Sequence, residues 1–208
     1  GSGAVFFSGC TLRCCYCQNY QISAEGFGKE ISITELCEIM LRLQEQGAHN
    51  INLVTPTQFA DKIVAALDRI RGGKLHIPVV YNSSGYETEQ TLAMLNGYVD
   101  VYLPDLKYVS PELSARYSAA ADFFSFASRA VVQMQKQVGP PMFDKSGLLK
   151  KGVIVRHMVL PGAYRDSLAL AEWLARRFGR EDMLLSLMCQ YTPQHKSAQF
   201  PELGRRGT

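Results

Sequence analysis

Short apolar runs alternate with segments of helical periodicity along the chain. The runs cover residues 4–7, 51–54, 77–81, 99–103, 153–160 and 183–188, and most contain no polar alternation. This pattern is typical of strands that are covered on both faces by other parts of the protein. We therefore predict a strand at each of these six runs.

The segments between the runs predict helices. Ser32 and Glu35 have the spacing of a capping box, and apolar residues then recur at helical intervals up to residue 41. The other predicted helices are residues 63–70, 87–95, the segment that begins at Ser110-Pro111, 123–138 and 168–178. The last of them carries a predicted apolar stripe on Leu168, Ala171, Leu174, Ala175 and Phe178.

Six strand–helix alternations favour a parallel sheet with the helices packed outside it. Right-handed connections curl such a sheet toward a barrel, but six strands are fewer than the eight of a closed (β/α)8 barrel. The predicted fold class is α/β, a partial (β/α)6 barrel that is open on one side. We expect one domain over residues 1–208. Because the first strand begins almost at residue 1 and no helix is recognisable after the last strand, we also expect truncation at one or both ends.

Composition limits the function classes. The 208 residues are 47% hydrophobic and 20% charged, with a net charge of +3, which is typical of a globular protein. This charge argues against a nucleic-acid partner, and no apolar run reaches the about 18 residues of a membrane span. No signal peptide is visible. Four of the six cysteines lie within residues 10–17, which favours a metal site in a reducing compartment and hence a cytoplasmic location.

Three of these cysteines, Cys10, Cys14 and Cys17, have the spacing C-x3-C-x2-C directly after the first strand. Ligands bind at this end of the strands in parallel α/β proteins. Thiolates select zinc, copper(I) or iron–sulfur clusters. A structural zinc site normally has four protein ligands, so three close cysteines favour a cluster that leaves one iron open. A zinc site completed by Cys15 or by a distant residue is the alternative.

The segment from Cys10 to Cys17 resembles the signature of the radical S-adenosylmethionine (SAM) enzymes, with Tyr16 as the aromatic residue before the third cysteine. Its surroundings, including Asn19 and residues 28–31, resemble glycyl-radical-enzyme activating enzymes such as those of pyruvate formate-lyase. Residues 7–23 are closer still to an uncharacterised activase-like branch. The likeness covers residues 5 to about 202.

This resemblance implies that Cys10, Cys14 and Cys17 hold a 4Fe–4S cluster whose fourth iron binds SAM. Reductive cleavage of SAM would then produce a 5′-deoxyadenosyl radical that abstracts hydrogen from a substrate. For a true activase, the substrate is a backbone glycine of a glycyl radical enzyme, and a flavodoxin- or ferredoxin-like protein donates the electron. Two alternatives stay open: a radical SAM enzyme that modifies another peptide, an RNA or a small molecule, and a non-enzymatic cluster or zinc protein.

The resemblance also implies cofactor contacts at Tyr16 and Asn19, and at polar residues after the second and third strands. Thr55 and Thr57 stand where activases usually carry Gly-Gly-Glu, and a plain turn is the alternative there. Residues 82–85 resemble the Asp-Thr-Asn-Gly stretch of activases, with Asn82 in place of the aspartate and Ser84 as a further candidate contact; a serine- and glycine-rich turn is the alternative there.

Further candidates follow the later strands. Asp105 and Lys107 resemble the Asp-x-Lys motif of activases, and alternation in an extended chain places them on one side; a structural ion pair is the competing interpretation. Arg156 interrupts an apolar strand, so we expect it to face the lumen and to contact SAM, whereas His157 faces the other way and packs. Gln190 stands approximately where activases place a histidine near the adenosyl group.

Overall fold

The computed structural model describes residues 1–206 and contains a curved, mostly parallel sheet. The six parallel strands are β1 (Ser2–Phe6), β2 (Asn50–Val54), β3 (Val79–Ser83), β4 (Val101–Pro104), β6 (Leu149–Met158) and β7 (Leu184–Met188). They pair in the order β1-β2-β3-β4-β6-β7, and the described strands include no pair between β1 and β7. The predicted fold class, a partial α/β barrel open on one side, is confirmed.

Strand register determines which side chains enter the lumen of the sheet. Ala4 pairs with Asn52, and Asn82 pairs with Leu103, while Arg156 pairs with both Asp105 and Ser186. Since successive side chains of a strand point to opposite faces, these polar residues share the concave face. Their sequence neighbours face the helices.

Most helices cover the convex face of the sheet, whereas the short first helix follows the cysteine loop and its Ser23 lines the concave side. The helices are α1 (Tyr20–Ser23), α2 (Ile33–Glu45), α3 (Ala60–Ile70), α4 (Glu89–Leu95), α5 (Pro111–Ser118), α6 (Phe123–Val138) and α7 (Tyr164–Arg177). The capping box is present: the Glu35 N–H donates to the Ser32 hydroxyl, and the Ser32 N–H donates to the Glu35 carboxylate. Ser110 likewise caps α5, with Pro111 in its first turn. The predicted starts of these two helices are confirmed.

The stripe predicted on α7 is confirmed at Leu174 and wrong at Leu168, Ala171 and Ala175, which are exposed. Leu168 is 58% exposed, and the buried residues of this helix are Leu170 and Leu174. Strand β7 is also less covered than predicted, because Leu185 and Leu187 are 48% and 58% exposed on its outer face. An edge strand with no described helix beyond it leaves its outer apolar side chains accessible.

A short strand, β5 (Met142–Phe143), was not predicted. It pairs antiparallel with the first residues of β6, which begins four residues earlier than the apolar run that predicted it. The turn between them is held by the Asp144 carboxylate, which accepts hydrogen bonds from Ser146 and Leu148, and by Gly147 with a φ of 79°. Both residues of β5 are exposed, so no burial pattern marks the strand.

Two groups of buried residues form the core between sheet and helices. The larger includes Tyr81, Tyr102 and Phe123, and the smaller includes Met40 and Ile63. None of the helices in residues 1–206 has both the length and the apolar character that crossing a membrane requires.

Candidate functional site

The three predicted cysteine ligands lie in the loop after β1, and each thiol has a hydrogen-bond partner that can donate to it. These partners are the Leu12 N–H, 3.4 Å from Cys10 Sγ, the Ser118 hydroxyl, 3.0 Å from Cys14 Sγ, and the Ser23 hydroxyl, 3.2 Å from Cys17 Sγ. Thiolates accept such bonds, and donors at the sulfurs are a recurrent feature of iron–sulfur sites. Burial raises the pKa of Cys10 and of Cys14 above the usual value for a thiol. The positive charge of Lys107 offsets only part of this increase.

The cysteine loop is anchored to the end of α5. The Arg13 N–H donates to the Ser118 carbonyl at 3.2 Å, and the Cys15 N–H donates to the Tyr117 carbonyl at 2.8 Å. Cys15 is 7% exposed and packs in the larger core group, where burial raises the pKa of its thiol to about 11. Cys15 is therefore placed as a small core residue. Cys37 is likewise in the core.

A cavity of about 410 Å³ lies beside the three cysteines, at the carboxyl ends of the strands. It is lined by eight of the ten predicted cofactor contacts: Tyr16, Asn19, Thr55, Asn82, Ser84, Asp105, Lys107 and Arg156. The fold thus brings together residues that are distant in the chain, such as Tyr16 and Arg156, which are 140 positions apart.

A network of charged side chains forms one wall of the cavity. Lys107 Nζ lies 2.7 Å from Asp105 Oδ2, and Arg156 Nη2 lies 2.7 Å from Asp105 Oδ1 and 2.7 Å from Asn82 Oδ1. Burial disfavours the charged forms, but the pairing outweighs it. The pKa of Asp105 is therefore below its usual value and that of Lys107 is above it. Two cations share one carboxylate, so this wall carries a net positive charge.

Two buried polar atoms in the lumen have no hydrogen-bond partner in the structure: Arg156 Nε and Asn52 Oδ1. An unpaired buried polar group costs about 1–3 kcal/mol, and a ligand would satisfy both groups. Asn52 was missed by the sequence analysis. It interrupts the apolar run of β2 as Arg156 interrupts that of β6, so the same signal could have identified it.

Thr57 is outside the cavity, and its predicted cofactor contact is not supported. Its hydroxyl donates to Glu87 Oε1 at 2.6 Å because residues 57–59 form a 3₁₀ turn that directs it away from the lumen. Thr55 lines the cavity with a φ of 57°, a strained value for a β-branched residue. The Gln58 side chain, which was also missed, donates to the carbonyls of Ser8, Gly9 and Thr55 at 2.8–3.0 Å. It thereby links the loops after β1 and β2.

Gln190 is exposed and does not line the cavity, so its predicted contact is not supported either. The chain leaves β7 after Met188, and the lining residues there are Met188, Tyr191 and Thr192. Tyr191 is buried, and its hydroxyl donates to the Leu203 carbonyl at 3.0 Å. This packing determines which residues of the last loop face the lumen.

His157 is 2% exposed on the convex side of β6, as predicted. Its Nδ1 lies 2.7 Å from the Leu106 carbonyl, and its Nε2 lies 2.8 Å from the Ser167 hydroxyl. Since a carbonyl only accepts, Nδ1 carries the proton. From the convex side of the sheet, His157 therefore holds the backbone of Leu106, between Asp105 and Lys107, by a hydrogen bond. The sequence predicted only packing for this residue.

The geometry of the donors also bears on the kind of metal. Among residues 1–206, no three His, Cys, Asp or Glu side chains converge to hold a single metal ion. A structural zinc site requires four such ligands around one ion, whereas each cysteine of an iron–sulfur cluster binds its own iron atom. The three thiols border one cavity and each has its own hydrogen-bond donor, an arrangement that fits a cluster.

Comparison with known families agrees with this site. The model of the radical SAM superfamily matches residues 4–130, which include the cysteine loop and the first four strands. The chain therefore belongs to the radical SAM superfamily. Enzymes of this superfamily use a 4Fe–4S cluster and SAM, which confirms the cofactor prediction. The family model identifies the superfamily, and it does not assign the chain to the activase branch within it.

A curated relative is the uncharacterized protein MJ0674 of Methanocaldococcus jannaschii, which is 28% identical over 218 aligned positions. The alignment covers 100% of this chain and 58% of the relative. The chain thus spans little more than half the length of the relative it matches.

Solved radical SAM enzymes share the fold. SuiB of Streptococcus suis, bound to its precursor peptide SuiA, superposes with a TM-score of 0.63 at 10% identity, over 96% of this chain and 41% of SuiB. The methyltransferase TsrM of Kitasatospora setae gives 0.61 at 12% identity, over 91% and 36%. Methylornithine synthase PylB gives 0.57 at 14% identity, over 99% and 57%.

Proposed function

We propose that this chain holds a 4Fe–4S cluster through Cys10, Cys14 and Cys17 and binds SAM in the adjoining cavity. The observation that carries the proposal is that each of these thiols has its own hydrogen-bond donor and that all three border the cavity with the charged wall. When bound, the two cofactors supply reductive cleavage of SAM and hydrogen abstraction from a substrate.

The residues of the chain bind and orient the cofactors. Arg156 supplies a planar guanidinium with an unpartnered Nε, which suits a carboxylate. Lys107 adds a second positive charge to the same wall, and Asp105 holds both cations in place. SAM is a net cation with a single carboxylate, so the positive side chains of this wall suit the carboxylate end of the molecule rather than SAM as a whole.

The proposed substrate is a backbone glycine of a partner glycyl radical enzyme, with a flavodoxin- or ferredoxin-like electron donor. The support is the resemblance at Asp105, Lys107, Arg156 and the cysteine loop. The described strands leave the lumen open between β1 and β7, so a peptide segment of a partner has a path to it. A reducing, cytoplasmic location is part of this proposal.

A second candidate is another peptide or a small molecule as substrate. Two departures from the activase pattern favour it: Thr55-Pro56-Thr57 in place of Gly-Gly-Glu, and Asn82 in place of an aspartate. Phe6, Val54 and Met188 also contribute apolar side chains to the cavity lining, together with the carboxamide of Asn52.

The proposal is tested by anaerobic reconstitution with iron and sulfide, followed by measurement of iron content and of 5′-deoxyadenosine formed from SAM. We expect Cys10→Ala, Cys14→Ala and Cys17→Ala each to lose the four-iron cluster and the cleavage activity. Cys15→Ala and the exposed Cys189→Ala are the matched controls and should keep the cluster. Loss of the cluster in Cys15→Ala with retention in Cys10→Ala would show that the ligand assignment is wrong.

The substrate is tested separately with the reconstituted wild-type chain. Incubation with a glycyl radical enzyme should give the EPR signal of a glycyl radical if the activase proposal is right. Turnover of SAM with peptides or small molecules, without that signal, would support the second candidate instead.

A further inference from the structure

A chain of three hydroxyl groups connects the cavity wall to the sulfur of Cys14. The Ser118 hydroxyl donates to Cys14 Sγ at 3.0 Å, and the Tyr108 hydroxyl lies 2.8 Å from Ser118 Oγ. The Tyr16 hydroxyl lies 2.5 Å from that of Tyr108. Ser118 and Tyr108 are each 1% exposed, and Tyr16 lines the cavity. These residues come from three separate segments of the chain.

The direction of the hydrogen bonds follows from the acceptor at the end. A metal-bound thiolate has no proton and only accepts, so Ser118 donates its single hydroxyl proton to Cys14. The oxygen of Ser118 then accepts from Tyr108, and the oxygen of Tyr108 accepts from Tyr16. All three O–H dipoles point toward the sulfur, and in a buried chain each bond strengthens the next.

We propose that Tyr16, Tyr108 and Ser118 are positioning residues that raise the reduction potential of the cluster by stabilising negative charge on Cys14. This inference rests on the proposed function. Reduction adds one electron to the cluster from an external one-electron donor, and part of the added charge falls on the thiolates. O–H dipoles aimed at a buried sulfur stabilise the reduced state more than the oxidised state.

The other two ligands have simpler surroundings. Cys17 has the single hydroxyl of Ser23, and Cys10 has the backbone N–H of Leu12. A side-chain substitution can therefore remove the hydroxyl chain at Cys14 and leave the donors at the other two sulfurs unchanged. Ser114 provides a matched control, because it lies in the same helix, is also 1% exposed, and donates to the Pro111 carbonyl instead of a sulfur.

The test is a potentiometric titration of the reconstituted full chain with dithionite, monitored by the EPR signal of the reduced cluster. We expect Ser118→Ala to shift the midpoint potential to a more negative value at full iron content. Ser118→Thr keeps a hydroxyl and should therefore retain the wild-type midpoint potential. Ser114→Ala should also leave the midpoint potential unchanged.

Tyr108→Phe provides a second variant that does not touch the cysteine. It should shift the potential in the same direction but by less, and it should add no shift in a Ser118→Ala background, because the chain is already broken there. An unchanged potential in both Ser118→Ala and Tyr108→Phe would overturn the inference, as would an equal shift in Ser114→Ala. If the wild-type chain itself assembles no four-iron cluster, the proposed function fails together with the inference.

Discussion

The Arg156 guanidinium and the Asp105 carboxylate meet inside the lumen, 2.7 Å apart, where β6 and the end of β4 come side by side. The other oxygen of the same carboxylate accepts from Lys107 at 2.7 Å. The single carboxylate of Asp105 thus pairs with two cations, Lys107 and Arg156, and Arg156 Nε has no protein partner. The arrangement leaves positive charge and an unused donor for an anionic group of a ligand, such as a carboxylate.

Arg156→Lys should therefore weaken SAM binding by about 1–3 kcal/mol, the usual range for a charge-assisted hydrogen bond. Lysine keeps the charge but loses the planar fork. Arg156→Met should bind SAM more weakly still, and Asp105→Asn should also reduce the affinity while iron content stays complete. Equilibrium dialysis of the reconstituted protein with SAM measures these effects.

The control for this experiment is Arg176→Lys. Arg176 forms an exposed ion pair with Glu172 on α7, far from the lumen, so its substitution should leave the affinity unchanged. Unchanged affinity in Arg156→Met would show that the Asp105–Arg156–Lys107 network is purely structural.

Glu87 should make the protein less stable as the pH rises toward neutrality. It is 2% exposed, and burial raises the pKa of its carboxyl from 4.5 to about 7. The folded state therefore holds the proton more tightly than the unfolded state, and the stability that this group contributes is lost progressively between about pH 4.5 and about pH 7. A difference of this size corresponds to roughly 3 kcal/mol.

Glu87→Gln should remove most of this pH dependence, because glutamine keeps the acceptor for Thr57 and cannot ionise. Urea unfolding at about pH 6 and about pH 8 measures the effect on the free energy of unfolding. The exposed Glu89 is the matched control, and Glu89→Gln should retain the wild-type slope. An equal change in stability between the two pH values in the wild type and in Glu87→Gln would contradict the prediction.

His157 should have the opposite effect on stability. Burial lowers the pKa of its imidazole below 6.5, so as the pH falls below about 6.5 the unfolded chain takes up the proton first and folding becomes less favourable. His157→Gln should flatten the profile of unfolding free energy between about pH 7 and pH 5. The exposed His49 is the control, and a profile that flattens only in His49→Gln would refute this assignment.

Thr55→Gly should stabilise the fold. A β-branched residue at a φ of 57° carries about 1–3 kcal/mol of strain, and glycine removes it at an entropic cost of about 0.5–1 kcal/mol. The melting temperature should therefore rise. Ala119 has a φ of 56° in the C-cap of α5, so Ala119→Gly should raise the melting temperature as well. A fall in melting temperature for Thr55→Gly alone would show that the Thr55 side chain makes a compensating contact.

The local pattern of the sequence determined much of this protein. The alternation of apolar runs and helical stripes predicted six parallel strands, and the period of two along a strand predicted that Arg156 faces the lumen and His157 does not. The spacing of Cys10, Cys14 and Cys17 predicts a ligand set, which stays a prediction until the variants are tested. These features depend on residues that are near one another in the chain, so local geometry is sufficient to predict them.

Only the tertiary structure decided which side chains meet the cysteine loop. Ser118 and Tyr108 are about a hundred positions from Cys14 in sequence, and they reach it because the end of α5 packs against that loop. Outside the strands, side-chain direction depends on backbone angles that distant contacts determine. For this reason Thr57 turns toward Glu87, and Gln190 lies on the surface while Thr192 lines the cavity.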